Sequence, residues 1–420
     1  MPTGEASGIL AEQRVHGFRI LMILMSSLVT LPAFVMGAQF AGQMPLADTI
    51  AACFLGGGLL AVVAAFASVA GARSGLSSYE LVLQAFGTTG GKVVNSVLGF
   101  VMLGWFGVIL MMFGDAAVAA LAKTGKDVPH MGILLAGAVL MIATTAIGFR
   151  ALDIFSQILT PFKVGLLVWT VVAAIIAYGW PEMHGPSGGA ALTVGQGGSM
   201  LAGGVIVGAL LTPDICRFAR NGTHAAASAA VGFGVGLPLV LIAAAIPALL
   251  TGEADLVKIM LGLGLGMFAI LIVIAAAWLN NTYNLYATSL VFQTLMPGVS
   301  RSWLTVFAGV VGTVAGLAGL ASYLVPFLHV LSVAIPPIGG VYIVHAYLFP
   351  SRTENAPPAW RPAAFLCWLA GVLVAAVQAP LGFELSGVSA LDSLCVSALI
   401  YFAVKRRPFS LKRYVHRRLS

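Results

Sequence analysis

The stretch Thr30-Leu31-Pro32-Ala33 places a proline in the middle of the uncharged run Ile20–Ala47. This run exceeds the ~20 residues that a helix needs to cross the hydrocarbon core of a bilayer. Proline removes a helix hydrogen bond, so the span is predicted to be interrupted near its centre. A simple packing kink is the alternative, because proline is common in membrane helices.

The composition of the whole chain excludes a soluble globular protein. Of the 420 residues, 60% are hydrophobic and 8% are charged, and the mean hydropathy is +1.01. Soluble domains carry about 25% charged residues, and membrane β-barrels show weak alternation rather than long apolar runs. The sequence therefore predicts an all-α polytopic membrane protein with about twelve spans, centred on Phe18–Ala41, Asp48–Gly71, Val93–Leu121, Met131–Phe149, Phe155–Tyr178, Met200–Phe218, Ala227–Leu250, Ile259–Tyr286, Trp303–Leu320, Tyr323–Leu348, Ala363–Val377 and Val388–Val404.

The distribution of positive charge supports this count. With both termini in the cytoplasm, seventeen of the 21 Lys and Arg residues lie in cytoplasmic segments, and only Lys123, Lys126 and Lys258 lie outside. Cytoplasmic loops carry such an excess. The pattern predicts a multi-pass protein of the cell inner membrane, with a basic tail over 405–420 that meets lipid and not nucleic acid.

A second interruption is predicted in span six, where Gly203–Gly208 and then Thr212-Pro213-Asp214 occur. Interrupted helices five spans apart point to a secondary transporter built from inverted repeats. The predicted divisions are a cytoplasmic segment over 1–17, a first five-helix repeat over 18–178, a second repeat over 198–348, two further helices over 363–404, and the tail.

Five different motifs occur in a characteristic order and at characteristic separations along the chain: Gly71-Ala72-Arg73-Ser74-Gly75-Leu76-Ser77-Ser78, Gly104-Trp105-Phe106-Gly107-Val108, Thr212–Asn221, Trp278-Leu279-Asn280-Asn281 and Ala334–Val341. Together they resemble the cytosine permease branch of the nucleobase–cation symport family, from about Arg14 to Val404. The resemblance implies the leucine-transporter fold, with two inverted five-helix repeats, broken helices one and six, and two C-terminal helices. It also implies import of a nucleobase-like heterocycle by alternating access, with the substrate between spans one, three, six and eight.

The resemblance assigns candidate substrate-binding residues. Trp105 matches the family's stacking tryptophan, and an indole face suits a flat heteroaromatic ring. Asn281 matches the span-eight asparagine, whose amide offers both a donor and an acceptor. Asn284 lies one turn further on. Packing of the indole and helix–helix bonding of the amide are the competing interpretations.

Other positions of the substrate site depart from the family pattern. Met102 stands where cytosine permeases are expected to carry a glutamine, and Gly204 and Val205 stand where they carry a small polar residue and an aromatic one. Backbone groups freed between Gly203 and Gly208 are a further candidate source of hydrogen bonds. These departures favour a substituted pyrimidine, a purine or a hydantoin over cytosine itself, although a sodium-coupled cytosine symporter remains an alternative.

The cation site also departs from the pattern of sodium-coupled members. Two adjacent hydroxyl residues are expected before the span-eight asparagine, but this chain has Leu279 and Asn280. Lys163 lies in the apolar stretch of span five, where a charge is costly and marks a functional site by default. Some sodium-independent members of the superfamily place a span-five lysine where others hold sodium. The candidate cation or coupling residues are therefore Lys163, Ser26, Thr30, Ala276 and Asn280.

Transport is accordingly predicted to be proton-coupled or independent of sodium, with no cofactor and no metal. A lysine that reaches to the membrane interface is the alternative for Lys163. Asp115 is a candidate proton relay or external gate. The predicted partners are a small heterocyclic substrate and the bilayer, and the protein is predicted to be a monomer. An amine or amino-acid permease of the same fold is the main alternative function, while no catalytic motif points to an enzyme.

Overall fold

The computed structural model describes residues 14–122, 125, 128–147, 149–183, 192–320, 330–331, 333–349, 357–381, 385–386 and 388–406. These residues form helices, apart from turns and one isolated bridge between Val15 and Ala219. The helices are α1 Gly17–Leu28, α2 Leu31–Gln43, α3 Leu46–Ser74, α4 Ser78–Phe86, α5 Thr88–Ala122, α6 His130–Ile147, α7 Phe149–Tyr178, α8 Val194–Leu210, α9 Pro213–Cys216, α10 Gly222–Val231, a π-helical turn Gly232–Gly236, α11 Leu237–Thr251, α12 Leu256–Gly262, α13 Gly266–Leu295, α14 Arg301–Leu317, α15 Pro336–Leu348, α16 Pro362–Leu381 and α17 Ser389–Arg406.

Most of the predicted spans correspond to long apolar helices. Six described stretches are long and apolar enough to cross a membrane, and the bent pair α1–α2 makes a seventh. Three shorter apolar helices, α15 and α17 take the places of the remaining spans. The start of span ten at Tyr323, the charges Lys123, Lys126 and Arg352, and the tail from 407 lie outside the described residues, as does most of the predicted segment 1–17.

The predicted interruption of span one is confirmed. α1 ends at Leu28, α2 begins at Leu31, and the two helices are bent by 65°. Thr30 between them is extended, with φ −135° and ψ 158°. Pro32 therefore lies in the first turn of α2, where its missing N–H has no intrahelical partner to lose.

The prediction that Gly203–Gly208 interrupts span six is wrong in position. α8 is a continuous helix through these glycines, and it ends at Leu210, just before Thr212 and Pro213. Glycine keeps its N–H and costs only about 1 kcal/mol in a helix interior. Because no water in a bilayer core can replace a lost backbone bond, the helix persists until Pro213 removes a donor.

The packing of the helices follows two inverted repeats. Spans one and six correspond to each other in such a fold, as do two and seven, three and eight, four and nine, and five and ten. The helix contacts follow this symmetry. α3 of span two packs on α8 of span six, and the symmetry-related pair also packs, since α11 of span seven contacts α2 of span one. Likewise α5 packs on α13, and α6 packs on α14. The protein thus has the architecture predicted from its broken helices.

Glycines bring α5 and α14 into backbone contact. A Cβ added at Gly107 would lie 3.0 Å from the Gly312 carbonyl oxygen and 3.0 Å from the Gly316 nitrogen, and a Cβ at Gly316 would lie 3.0 Å from the Gly107 carbonyl oxygen. Small residues at membrane helix interfaces permit such close approach. Spans three and nine are therefore packed without a layer of side chains at this point.

Candidate substrate cavity and coupling site

The interrupted helices border a cavity of about 600 Å³. Its walls come from α1, α2, α5, α8, α9 and α13, which belong to spans one, three, six and eight, with additional residues from α11 and from the start of α17. Sites for small molecules commonly have volumes of ~300–1,000 Å³ and mostly apolar walls. The cavity therefore lies where the resemblance predicted a substrate and has a suitable size.

One wall of the cavity is a stripe along α5 that consists of Met102, Trp105, Ile109 and Met112. Their spacing of three or four residues puts them on one face of the helix. Trp105 is partly buried and packs on the hydrophobic core. The predicted stacking residue and Met102 are thus side by side at the cavity.

Another part of the cavity wall is formed by α8. Gly204, Val205 and Gly208 all line the cavity. A Cβ added at Gly204 would meet only the methyl end of Met36, at 2.9 Å, and one at Gly208 would find nothing closer than 3.9 Å. The lack of side chains here leaves room for a guest, and α8 offers no aromatic ring to the cavity.

The amide residues of α13 are divided between two faces. Asn280 and Asn284 line the cavity together with Tyr283 and Ala287. Asn281 does not: it is fully buried, and its Nδ2 atom donates to the Phe106 carbonyl oxygen at 3.0 Å and to Met141 Sδ at 3.3 Å. The structure therefore brings Asn284 and Asn280 to the cavity, whereas Asn281 joins α13 to α5 and α6.

The position of Asn280 at the cavity was not predicted from the sequence, which placed this residue with the cation ligands. The signal was the spacing of Asn280, Asn284 and Ala287, which puts two amides and a small residue on one helical face. Adjacent residues on a helix point about 100° apart. The choice between Asn280 and Asn281 therefore depends on how α13 packs.

Lys163 meets the end of α1 inside the protein. Its side chain is 3% exposed, and its ammonium donates to the Ser26 carbonyl oxygen at 2.7 Å. Ser26 lies in the last turn of α1, whose carbonyl groups lack intrahelical partners and carry the negative end of the helix dipole. The structure thus brings Lys163 to the span-one carbonyl predicted from the sequence.

The surroundings of Lys163 are otherwise apolar. A cavity of about 10 Å³ beside it is lined by Phe34, Leu166, Leu167, Met260, Ile272, Val273 and Ala276. Leu279 packs on Leu159, one turn before Lys163. Of the other predicted coupling residues, Ala276 lies beside Lys163. Asn280 lies at the main cavity instead. Thr30 is the N-cap residue of α2, and its side chain makes no capping hydrogen bond.

The side chains that line the small cavity beside Lys163 supply no oxygen atoms. Sodium prefers several hard oxygen ligands, by the logic that governs calcium and magnesium. At the Ser26 carbonyl the structure places the ammonium of Lys163. An ammonium brings a positive charge and three donors to the same carbonyl.

Asp115 lies away from the cavity. Its side chain is 71% exposed and its carboxylate lies 2.8 Å from Nε2 of His130 at the start of α6. The structure therefore places this candidate proton relay in an exposed pair between α5 and α6, apart from Lys163 and Trp105.

Charged residues at the α9 end of the cavity pair with the short helix α4. Asp214 accepts hydrogen bonds from the backbone N–H and the hydroxyl of Ser78, and Arg217 lies 3.4 Å from Glu80. Glu80 also completes a capping box with Ser77 at the start of α4. These charges therefore fix the broken end of span six to the segment that follows span two.

Comparison with known proteins decides the family. The model of a family described as permeases for cytosine/purines, uracil, thiamine and allantoin matches residues 10–379. The chain belongs to this family. It is therefore a membrane transporter and not an enzyme, and its substrates belong to the nucleobase-like small heterocycles that the family carries.

Individual relatives agree with this assignment. The chain is 31% identical to the cytosine permease of Escherichia coli K12 over 357 residues, which cover 84% of this chain and 82% of the relative. It is similar in fold to Mhp1, a nucleobase-cation-symport-1 family transporter solved in a closed conformation with bromovinylhydantoin bound, with a TM-score of 0.83, 17% identity, and coverage of 97% of this chain and 95% of the other. The inward-facing conformation of Mhp1 gives a TM-score of 0.81 at 16% identity, with coverage of 94% and 91%. This likeness confirms the leucine-transporter type of fold with its inverted repeats.

Proposed function

We propose that this transporter imports a substituted pyrimidine, a purine or a hydantoin-like ring, which stacks on Trp105. The observation that carries the proposal is the cavity in which Trp105 on α5 and two amides on α13 share one space. An indole face offers offset stacking to any flat ring. The amides of Asn280 and Asn284 can both donate to and accept from the ring edge.

The remainder of the wall favours a ring with an apolar substituent. Met36, Met102, Met112 and Met200 all line the cavity, and methionine adapts to irregular apolar shapes. At positions 102 and 204, where the family is expected to have polar side chains that bind the base, this chain has the thioether Met102 and the glycine Gly204. Unsubstituted cytosine would therefore place polar atoms of its ring edge against apolar side chains, and burial of unpaired polar groups disfavours its binding.

Asn281 is proposed to act through α5. Its bond to the Phe106 carbonyl oxygen fixes α13 against the helix that carries Trp105. In this arrangement Asn281 positions the stacking wall, and Asn280 and Asn284 take the direct contacts that were predicted for Asn281 and Asn284.

Lys163 is proposed to take the place of a coupling cation, so that transport is proton-coupled or independent of sodium. Two observations support this: the ammonium bound to the Ser26 carbonyl, and the apolar side chains that line the small cavity beside that ammonium. Release of its proton would leave the Ser26 carbonyl without its charged partner and weaken the contact between α7 and α1. We further propose a monomer in the cell inner membrane, with both termini in the cytoplasm and no cofactor.

An amine or amino-acid permease is the alternative. Amino acids carry two charged groups, which need charged or strongly polar partners in the cavity. Among the described lining residues, the charged ones are Asp214 and Arg217, and both are paired with α4. The cavity therefore favours a neutral ring.

The test is a thermal-shift panel of bases, hydantoins and amino acids on the purified protein. A ligand that binds the folded state raises the melting temperature by mass action. We expect a substituted heterocycle to give the largest shift, and Trp105→Ala to weaken its binding by about tenfold or more because a stacking partner is lost. Trp169→Ala, at an exposed site on α7, is the matched control and should bind as the wild type does.

A shift that is retained in Trp105→Ala would refute stacking at this residue. A panel in which amino acids alone bind would favour the alternative permease.

A further inference from the structure

The wall of the substrate cavity includes the first turn of α17, which lies outside the two inverted repeats. Ser389 and Ala390 of this turn line the cavity together with residues of spans one, three, six and eight. α17 packs on α8, α15 and α16, whereas the indole and the two amides of the site belong to α5 and α13. Span twelve therefore contributes a part of the wall that the sequence motifs did not indicate.

A buried carboxylate holds this turn in place. Asp392 is 4% exposed and lies in the first turn of α17. It accepts hydrogen bonds from the backbone N–H groups of Leu385 at 2.8 Å and Ser386 at 3.1 Å. It also accepts from Nε2 of Gln378 on α16 at 2.8 Å. Because hydrogen bonds to a carboxylate are strong, the start of α17 is fixed to α16 and to the residues before it, and Ser389 has a defined position.

The helices behind α17 leave it no space into which it could withdraw. A Cβ added at Gly371 of α16 would lie 2.7 Å from the Ser393 carbonyl oxygen and 2.7 Å from Cβ of Pro337 on α15. At Gly371 the three helices are therefore in close contact without a further side chain between them. Interiors packed in this way do not absorb additional volume without strain. A larger side chain at position 389 must therefore extend into the cavity.

The cavity is larger than an unsubstituted ring requires. Its volume is about 600 Å³. Even at the ~30 Å³ that a water molecule occupies in the liquid, the eight heavy atoms of uracil fill less than half of this volume. Ser389 is only partly buried, and it and Ala390 are both small. The space beside them is thus large enough for a group attached to the ring.

We propose that the first turn of α17 forms the subsite for the substituent of the bound ring, with Ser389 as its specificity-determining residue. The proposal rests on the import of a substituted heterocycle proposed above. The ring lies between Trp105 and the amides of α13, and its substituent extends towards α17. The small side chain at position 389 admits this group, so the size of that side chain decides which substituents are accepted.

The test compares the dissociation constants of two matched ligand pairs on the purified protein: uracil with 5-benzyluracil, and hydantoin with 5-benzylhydantoin. The members of each pair differ by the benzyl group. We expect Ser389→Leu to weaken binding of the benzyl compounds about tenfold or more, because the added side chain occupies their space. Binding of the unsubstituted compounds should change less than about threefold.

Two control variants separate size from other effects. Ser389→Ala removes the hydroxyl but keeps the space, so the benzyl compounds should bind as they do to the wild type. Leu399→Phe enlarges a side chain of the same helix at a site that is 67% exposed, and it should also leave binding unchanged. The proposal is overturned if Ser389→Leu weakens both members of a pair equally or neither of them, or if Ser389→Ala weakens the benzyl compounds.

A second measurement needs no heterocycle. Ser389→Cys and Ser393→Cys, each in a background without the four native cysteines, are treated with a water-soluble methanethiosulfonate. Ser393 is fully buried one turn further along α17, so position 389 should react about tenfold faster or more. Equal rates overturn the proposal. A wild type that binds none of the four compounds refutes the proposed function, while the two rates still decide whether position 389 lies at the cavity.

Discussion

At the scale of single residues, Lys163 is the buried cation on which the coupling proposal depends. Its side chain could have extended towards the membrane surface, as long basic side chains often do. Instead its ammonium donates to the Ser26 carbonyl oxygen, beside a small cavity lined by apolar side chains. A fixed positive charge at the C-terminal end of α1 also offsets the negative end of that helix.

Substitution of Lys163 tests its role in coupling. We expect wild-type uptake of a labelled substrate to be the same in sodium and in choline buffer. Lys163→Met should abolish the response of uptake to an inward proton gradient, because the titrating group is gone. The exposed Lys258, 3.7 Å from Glu253, supplies the control Lys258→Met, which should behave as the wild type does. Strict sodium dependence of the wild type would contradict the proposal.

The two neighbouring asparagines of α13 should differ in what they disrupt. Asn281→Leu removes a bond between helices, so we expect it to lower the free energy of unfolding by roughly 1 kcal/mol. Asn284→Leu should leave the melting temperature of the free protein unchanged and weaken substrate binding about two- to tenfold. Melting curves with and without ligand measure both effects, and a reversed pattern would exclude this division of roles.

At the scale of helices, proline and glycine had different predictive value. Pro32 and Pro213 each correctly predicted an interruption, and both lie in the first turn of the helix that follows the break. Pro161 in α7 and Pro247 in α11 lie inside continuous helices, so a proline alone does not decide where a span is interrupted. The glycines between Gly203 and Gly208 did not interrupt α8. Whether a glycine-rich stretch unwinds depends on the packing of its neighbours, which a single sequence does not contain.

The same limit applies to the candidate site. Trp105, Met102, Gly204, Val205, Gly208 and Asn284 were placed together by their motifs, and the structure brings them to one cavity. Asn281 and Asn280 were assigned by position in a motif, yet their directions follow from how α13 packs on α5.

Two glycines of α3 provide a test of how α3 packs on the broken end of span six. A Cβ at Gly71 would lie 2.7 Å from the Cα of Pro213, whereas one at Gly58 would meet nothing within 4 Å. Gly71→Ala should therefore destabilise the protein by about 1–3 kcal/mol. Gly58→Ala should be neutral or stabilising by up to about 1 kcal/mol, since alanine favours helix. Denaturation of the two variants side by side decides the matter, and equal stability would disprove this packing.

At the scale of the whole molecule, the charge distribution makes a prediction about orientation in the membrane. The excess of basic residues predicts that both ends of the chain are cytoplasmic. A green fluorescent protein fused to the C-terminus should therefore fluoresce, and alkaline phosphatase at the same place should be inactive. Reporters inserted after Ser386, between α16 and α17, should give the opposite results. If the same reporter were active at both positions, α17 would not cross the membrane.

The direct backbone contact between α5 and α14 has a consequence for how this protein must be observed. With no side chains between them at Gly107 and Gly316, neither helix can turn about its own axis at this point without bringing a side chain into a gap that has no room for one. Trp105 lies two residues from that junction, so this contact restrains the helix turn that carries it. In a variant in which Trp105 is the only one of the seven tryptophans retained, the fluorescence of its indole should report changes among the residues that face it across the cavity.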